Sequence, residues 1–304
     1  AGPWCDGLRR QVNAPGRLRP QRGSHLIFPK EKLSLPHAVT LLHPKDGRAM
    51  FAIPWEGATI IGTTDLDHPS SLDNGEPYCT QAEIDYILEA ADAIFPSVKL
   101  NQADALSSFA GLRPIIRGSA ADPSAESRAH VVWEENGLIT ITGGKFTIFR
   151  KMAADALQAA APRLGVQLNP LKRYYRALPK QTKPEYSALN PAELFYLAGR
   201  YGPALDTFLS TARPAELSPV GDLPTIRAEL RYAARSESVQ HLDDLLLRRT
   251  RLGLLLPEGA RAELPTVREI AQEELGWEDA RWEQEAARYA EIYKRFYSSA
   301  PAGI

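Results

Sequence analysis

Hydrophobic spacing in this 304-residue chain changes once, and it does not change back. Up to about residue 175, β-branched and apolar residues gather in short runs that alternate with polar ones, whereas beyond residue 191 they recur at steps of three and four. Alternation serves the two faces of a sheet, and three-and-four spacing serves one stripe of a helix. The chain must therefore build a strand-rich part first and a helix-only part second.

In the first part the predicted strands are Ser24–Phe28, Ala38–Leu42, Ala49–Pro54, Thr59–Thr63, Leu106–Leu112, Ala129–Trp133 and Leu138–Thr142. The turns "PKDGR", "EGA" and "ENG" that separate some of them are short, which implies antiparallel pairing. One helix interrupts the strands. In "TQAEIDYILEAADAIFP", Thr80 opens a capping box with Glu83, Ile84, Ile87, Leu88, Ala91 and Phe95 share a face, and Pro96 ends the run. "RALPKQTKPEYSALNP", Arg176 to Pro191, is rich in Pro, Lys and small polar residues and has no apolar period, as a linker should. The expected fold class is α+β: a mainly antiparallel sheet domain over residues 1–175, a linker over 176–191 and an all-α bundle over 192–304.

Composition narrows the setting. A hydrophobic content of 44% supplies a sizeable core, and a net charge of −1 argues against a general nucleic-acid partner. The segment from Leu8 to His25 holds five arginines and no acid, a pattern that reads as a solvated loop. No apolar run has the length of a spanning helix, and Ala1 is not followed by a basic-then-apolar signal pattern. Cys5 and Cys79 have neither C-x-x-C spacing nor nearby histidines, so neither a disulfide framework nor a metal site is expected. A reducing, cytoplasmic setting is the default.

Four short stretches carry chemistry that their secondary structure does not require. "QRGSHLIFP" places Arg22 and His25 at a strand start, "IIGTTDL" places Thr63, Thr64 and Asp65 at a strand exit, and "FAGLRPI" ends a strand in Arg113. The fourth, "LITITGGKFTIFRKMAADAL", runs a strand into Gly143-Gly144, Lys145 and a helix with one expected buried face of Phe146, Phe149, Met152, Ala153, Ala156 and Leu157. A strand-to-helix turn leaves N–H groups unpaired at Phe146 and Thr147 and carries the positive end of the helix dipole. Each stretch has a structural alternative: a satisfied histidine, an Asx turn, a loop ion pair, a tight turn with a solvated lysine. Together they place His, Arg and Lys at strand ends, where a sheet-built site for a phosphorylated or carboxylated substrate would need them.

The motifs "AGPW", "RGSH", "IPWEG", "IIGTTD", "AGLRPI" and "TGGKFTIFRKMA", in this order, resemble those of the FAD-dependent, quinone-linked aerobic sn-glycerol-3-phosphate dehydrogenases. "LRYAARSESVQHLDDLLLRRTRLGLLLP" resembles the C-terminal domain of that family, with its E-x-x-x-x-L-x-D-x-L-x-R-R-T-R pattern. The resemblance covers essentially the whole chain. It implies a flavoenzyme of glycerol metabolism that oxidises glycerol 3-phosphate to dihydroxyacetone phosphate, with FAD as hydride acceptor and a quinone or the respiratory chain downstream.

By the same resemblance, Gly2 and Trp4, from the "AGPW" turn, and Gly143, Gly144, Lys145, Phe146 and Thr147 lie at the cofactor. Arg113 anchors the substrate, and His25 is proton acceptor or phosphate contact, titrating near neutrality. The family's G-x-G-x-x-G turn is absent from these 304 residues. The chain is thus expected to be a C-terminal piece that lacks most of its FAD-binding segment, binds FAD weakly and is inactive alone.

Two other readings stay open: another FAD-dependent oxidase of the same superfamily, against which the R-R-T-R helical part argues, and a non-catalytic binding protein that keeps the substrate domain. "LLLRRTRLGLLL" reads either as a bundle helix with core leucines or as a peripheral membrane contact at the inner face of the plasma membrane. The oligomeric state, monomer or homodimer, is likewise open.

Overall fold

The computed structural model describes residues 2–68, 72, 75–118, 128–169, 186 and 188–302. After a 3₁₀ turn at Gly2–Trp4 and the short helix α1 (Cys5–Gln11), the chain enters a six-stranded antiparallel sheet. Its strands are β1 (Leu18–Pro29), β2 (Val39–Leu42), β3 (Ala49–Trp55), β4 (Ala58–Gly62), β5 (Leu66–Asp67) and β6 (Ser107–Ile116). The twelve-residue β1 is the axis: β6 runs along one side of it from Leu18 to Ile27, and β4 and β5 share the other. A separate hairpin joins β7 (His130–Glu135) to β8 (Leu138–Gly143). Antiparallel pairing throughout agrees with the short turns.

Each face of the sheet has its own cover. Helix α2 (Gln81–Ile94) starts at the Thr80–Glu83 capping box and lays Ile84, Ile87, Ala90 and Ala91 against Leu26, Phe28, Leu41, Met50, Ala52 and Ile61. On the opposite face, Ile27 and Ala58 join one core with Leu230, Leu245, Leu246, Leu254, Leu255 and Trp282 of the helical part. Alternation along β1 therefore buries both faces.

The helical part comprises α4 (Pro191–Tyr201), α5 (Leu205–Thr211), α6 (Arg227–Ser236), α7 (Leu252–Leu255), α8 (Pro257–Ala260), α9 (Leu264–Leu275) and α10 (Asp279–Ile292), preceded in the first part by α3 (Phe149–Leu164). Side chains fasten it to the sheet: Ser107 Oγ donates to Leu254 O at 2.6 Å, Ser108 Oγ to Ser298 O at 2.7 Å, and Tyr293 OH to Leu106 O at 2.9 Å. The segment expected as a linker, 176–191, lies outside the described residues apart from 186 and 188–191. Two wider turns of π-helix, Asp244–Arg249 and Tyr293–Tyr297, interrupt runs whose spacing predicts continuous helix.

Two expectations are corrected. The arginine-rich segment from Leu8 to His25 is not a solvated loop, because Arg9 and Arg22 are buried. Arg9 makes a two-pronged contact with Glu135 at 2.8 and 2.9 Å and lies over the Trp133 ring; Arg22 pairs with Glu83 at 2.9 Å. Of the two readings of "LLLRRTRLGLLL", the burial of Leu245, Leu246, Leu247, Leu252, Leu254 and Leu255 in the shared core favours the bundle helix. The helix after Lys145 buries none of its residues; it leans on β7 and β8, and the outer stripe of Phe149, Leu157 and Leu164 stays exposed.

Candidate functional site

Strand register assembles the site. Arg113 sits on β6, opposite Gln21 on β1, while the Thr63-Thr64-Asp65 turn follows β4 on the far side of β1. The Arg113 side chain crosses β1 to reach that turn. Its Nη2 donates to Thr63 Oγ1 at 2.8 Å, and its Nη1 lies 3.3 Å from both Thr64 O and Asp65 Oδ1.

Two further arginines close on Asp65, one at its carboxylate and one at its backbone carbonyl. Arg128 Nη2 reaches Asp65 Oδ2 at 2.8 Å, and Arg48 Nη1 donates to Asp65 O at 2.7 Å. Arg48, Arg113, Arg128, Asp46, Asp65, Thr63 and Phe51 line a groove of about 390 Å³. Burial, together with the charges of Arg128 and Arg48, lowers the Arg113 guanidinium from its ordinary value, against the pull of Asp65. Three cations and two carboxylates leave the groove net positive, and planar guanidinium groups suit a multidentate anion.

His25 lies beside this groove on β1, paired across the ladder with Gly62 and Phe109. Its ring stacks on Phe109 with centroids 4.8 Å apart and planes 10° from parallel. Nδ1 is sealed from solvent and has no hydrogen-bond partner. Burial, then the charge of Arg113, pushes the imidazole down to about 4. The expectation that His25 titrates near neutrality is thereby corrected: desolvation disfavours the cation, and the ring is neutral at physiological pH.

Behind the site, on the α2 face, Glu83 collects the strand ends. Its carboxylate accepts from Thr64 Oγ1 at 2.7 Å and Ser24 Oγ at 2.9 Å, and pairs with Arg22. Thr80 N and Oγ1 cap its other oxygen at 3.0 and 2.8 Å. Burial acts to raise this carboxyl, but the bonds from Thr64 and Thr80 and the Arg22 charge outweigh it and hold it below the ordinary range.

The residues expected at the cofactor sit apart from the groove. Gly143 and Gly144 adopt φ of +72° and +74°, which explains the pair: a Cβ on Gly143 would lie 2.6 Å from Ala129 O, and one on Gly144 2.6 Å from Met152 Sδ. Lys145 is the N-cap of a 3₁₀ turn at Phe146–Ile148 that no side chain caps, and both Lys145 and Thr147 are exposed. Phe146 is 89% exposed. Gly2, with φ of +52°, and the exposed Trp4 start the chain beside a second cavity of about 450 Å³, shared with Arg10, Asp6 and Arg117. Among the described residues, neither cluster lines the arginine groove.

Arg48 and Arg128 were not foreseen from the sequence. Arg48 ends an ordinary "PKDGR" turn and Arg128 follows no motif, so only the fold could gather them around Asp65. An uncapped helix start after a glycine turn, an exposed Lys145 and an unpartnered, neutral His25 are suited to a flat, electron-accepting ring lying against the sheet. On these observations the residues fit a flavin.

Comparison with known proteins agrees across the chain. Residues 1–150 match the family described as FAD dependent oxidoreductase, and residues 139–282 match the C-terminal domain of alpha-glycerophosphate oxidase. Glycerol-3-phosphate dehydrogenase 2 of Mycobacterium tuberculosis is 35% identical over 305 residues, covering 95% of this chain and 51% of the relative. The mitochondrial glycerol-3-phosphate dehydrogenase of Arabidopsis thaliana is 33% identical over 337 residues, covering 98% and 52%. The chain thus spans about half the length of the curated relatives it matches. The glycerol-3-phosphate dehydrogenase of Bacillus halodurans, solved in complex with FAD, superposes with a TM-score of 0.70 at 27% identity, covering 96% of this chain and 61% of that one. The order of antiparallel sheet and helical part, the two family matches in tandem and these relatives lead to one conclusion: residues 1–150 match the FAD dependent oxidoreductase family and residues 139–282 match the C-terminal domain of alpha-glycerophosphate oxidase that follows it.

Proposed function

We propose that this chain carries the substrate half of an FAD-dependent glycerol-3-phosphate dehydrogenase, which oxidises the secondary alcohol of sn-glycerol 3-phosphate to dihydroxyacetone phosphate. The observation that carries the reading is the groove in which Arg48, Arg113 and Arg128 surround Asp65 next to a half-buried, neutral histidine. A phosphate monoester needs several donors and a net positive wall, and the oxidised carbon needs a base that is unprotonated at working pH. Both are present within one sheet face.

FAD, when bound, supplies the hydride acceptor. This chain's residues do the rest. Arg113 and its two neighbours hold the phosphate and fix the hydroxyl-bearing carbon beside His25. The imidazole accepts the hydroxyl proton at Nε2, since Nδ1 is sealed. Lys145 and the uncapped turn after it supply positive charge at the cofactor end.

Electrons leaving the site pass to a quinone in this proposal, at a membrane surface. Among the described residues, no helix is long and apolar enough to cross a membrane. The polypeptide of these 304 residues has no G-x-G-x-x-G turn to cradle a pyrophosphate, and on its own it is proposed to be inactive. Anaerobic mixing of glycerol 3-phosphate with a flavin-loaded longer polypeptide, in which this chain follows a G-x-G-x-x-G segment, tests the assignment: bleaching of the flavin with formation of dihydroxyacetone phosphate is expected. Bleaching by amines or 2-hydroxy acids and not by glycerol 3-phosphate would replace it with the wider oxidase reading.

A further inference from the structure

Arg113 reaches its partners only by crossing a neighbouring strand. It starts on β6, and the Thr63–Asp65 turn that it bonds to lies on the other side of β1. The residue under the crossing is Gly23, paired with Gly111 in the β1–β6 ladder.

A Cβ built on Gly23 would lie 2.5 Å from Arg113 Nη1 and from Thr63 Oγ1, and closer still to Nη2. No real Cβ makes contacts that short. The backbone at Gly23 is not in the left-handed region, so its conformation does not require glycine. Space is the only reason for glycine there, and that space is filled by the guanidinium. Across the strand, Gly62 does the same for the other functional side chain: its Cβ would lie 2.8 Å from His25 Cγ, but also 2.8 Å from the backbone oxygen of Ser24. Gly62 is therefore tied into the strand backbone, and Gly23 is not.

We infer that Gly23 is a positioning residue for anion binding: its missing side chain is the notch through which the Arg113 guanidinium crosses β1 to reach Thr63. This rests on the assignment of the arginine groove as the phosphate site. The atoms that an alanine would strike are the far end of a long flexible side chain and one hydroxyl, so the sheet survives the substitution and the guanidinium moves. Strand β1 keeps its register with β4 and β6, and the phosphate loses a fixed donor pair.

Calorimetric titration of the 304-residue chain with inorganic phosphate at low ionic strength tests this. Gly23→Ala should bind phosphate about tenfold more weakly, with a melting temperature within roughly 1 °C of the parent. Arg113→Ala should lose as much, and Gly23→Ala should cost nothing further in the Arg113→Ala background, because the two act through one group. In flavin-loaded enzyme the loss should appear in KM for glycerol 3-phosphate, at unchanged flavin content. Phosphate binding that is absent from the parent, or unaffected by Arg113→Ala, overturns the assignment of the groove. Binding lost in Arg113→Ala but retained in Gly23→Ala overturns the notch. A crystal structure of Gly23→Ala with the guanidinium still hydrogen-bonded to Thr63 Oγ1 overturns the notch whatever the titration reads.

Discussion

Glu83, on the first turn of α2, accepts a 2.7 Å hydrogen bond from Thr64 across the sheet, and so fixes from behind the same turn that Arg113 holds from the front. Its carboxylate is 1% exposed and faces Arg22, which is almost as enclosed. Removing one partner of a buried ion pair strands the other. Glu83→Ala should therefore lower unfolding stability by about 3–5 kcal/mol, and Glu83→Gln by less, since it keeps the shape and some donors' partners. Because the Glu83 carboxyl is depressed in the folded state, its contribution is present above the ordinary carboxylate range and is lost as pH falls through the folded value. Urea melts of both variants check this; a loss below 1 kcal/mol for Glu83→Ala would show that the buried pair contributes little.

His25 also costs stability on acidification, through burial where Glu83 acts through its partners. Burial holds the folded ring near 4, whereas the unfolded chain protonates near 6.5. As pH falls through that window the unfolded state gains a proton that the folded state refuses, and stability is lost; above it the effect disappears. His25→Asn should remove this slope, so that the stability of parent minus variant falls by up to about 3 kcal/mol between neutral pH and pH 4. Parallel denaturation curves for the two proteins across that range would contradict a half-buried, neutral imidazole.

Alternation made the strands legible, but two of the expected ends are corrected: β1 begins at Leu18 and β6 runs on to Ile116, so His25 and Arg113 stand inside strands and not at their ends. His25 lies on β1, Arg113 on the neighbouring β6 and Thr63 just after the neighbouring β4, and it is the pairing of these strands that brings the three within reach. What was not legible depended on contacts remote in sequence. Arg9 looks solvated until Glu135, 126 residues later, comes to meet it, and Arg22 until Glu83 does. Local spacing cannot register a carboxylate contributed by another element. The stripe on α3 failed in the other direction: its three-and-four spacing is genuine, but no described element covers it. Periodicity reports which face is apolar, not what lies against it.

The cofactor prediction follows from what the 304 residues contain. With an exposed Lys145 and an uncapped turn, but no glycine-rich pyrophosphate cradle, the purified polypeptide should be colourless, and added FAD should move its melting temperature by no more than about one degree. A yellow preparation with one flavin per chain would show that the turn after Gly144 binds the cofactor without that cradle.

Arg113 and Lys145 should fail differently when replaced in flavin-loaded enzyme, since one lines the arginine groove and the other stands at the helix turn beyond β8. Arg113 has three acceptors of its own in Thr63, Thr64 and Asp65, so it is held in place before substrate arrives. A pre-placed guanidinium contributes more at the transition state than one that must be ordered by the ligand. Arg113→Ala should lower kcat/KM about a hundredfold, close to 3 kcal/mol, with flavin content unchanged. Lys145→Ala should leave KM near the parent value while slowing flavin reduction and shifting its potential, because the lost charge lies on the cofactor side. Stopped-flow reduction measured beside steady-state kinetics separates the two. Should Lys145→Ala raise KM and leave the reduction rate intact, Lys145 would belong with the phosphate-binding arginines, and the division of this chain into a substrate groove and a cofactor turn would have to be redrawn.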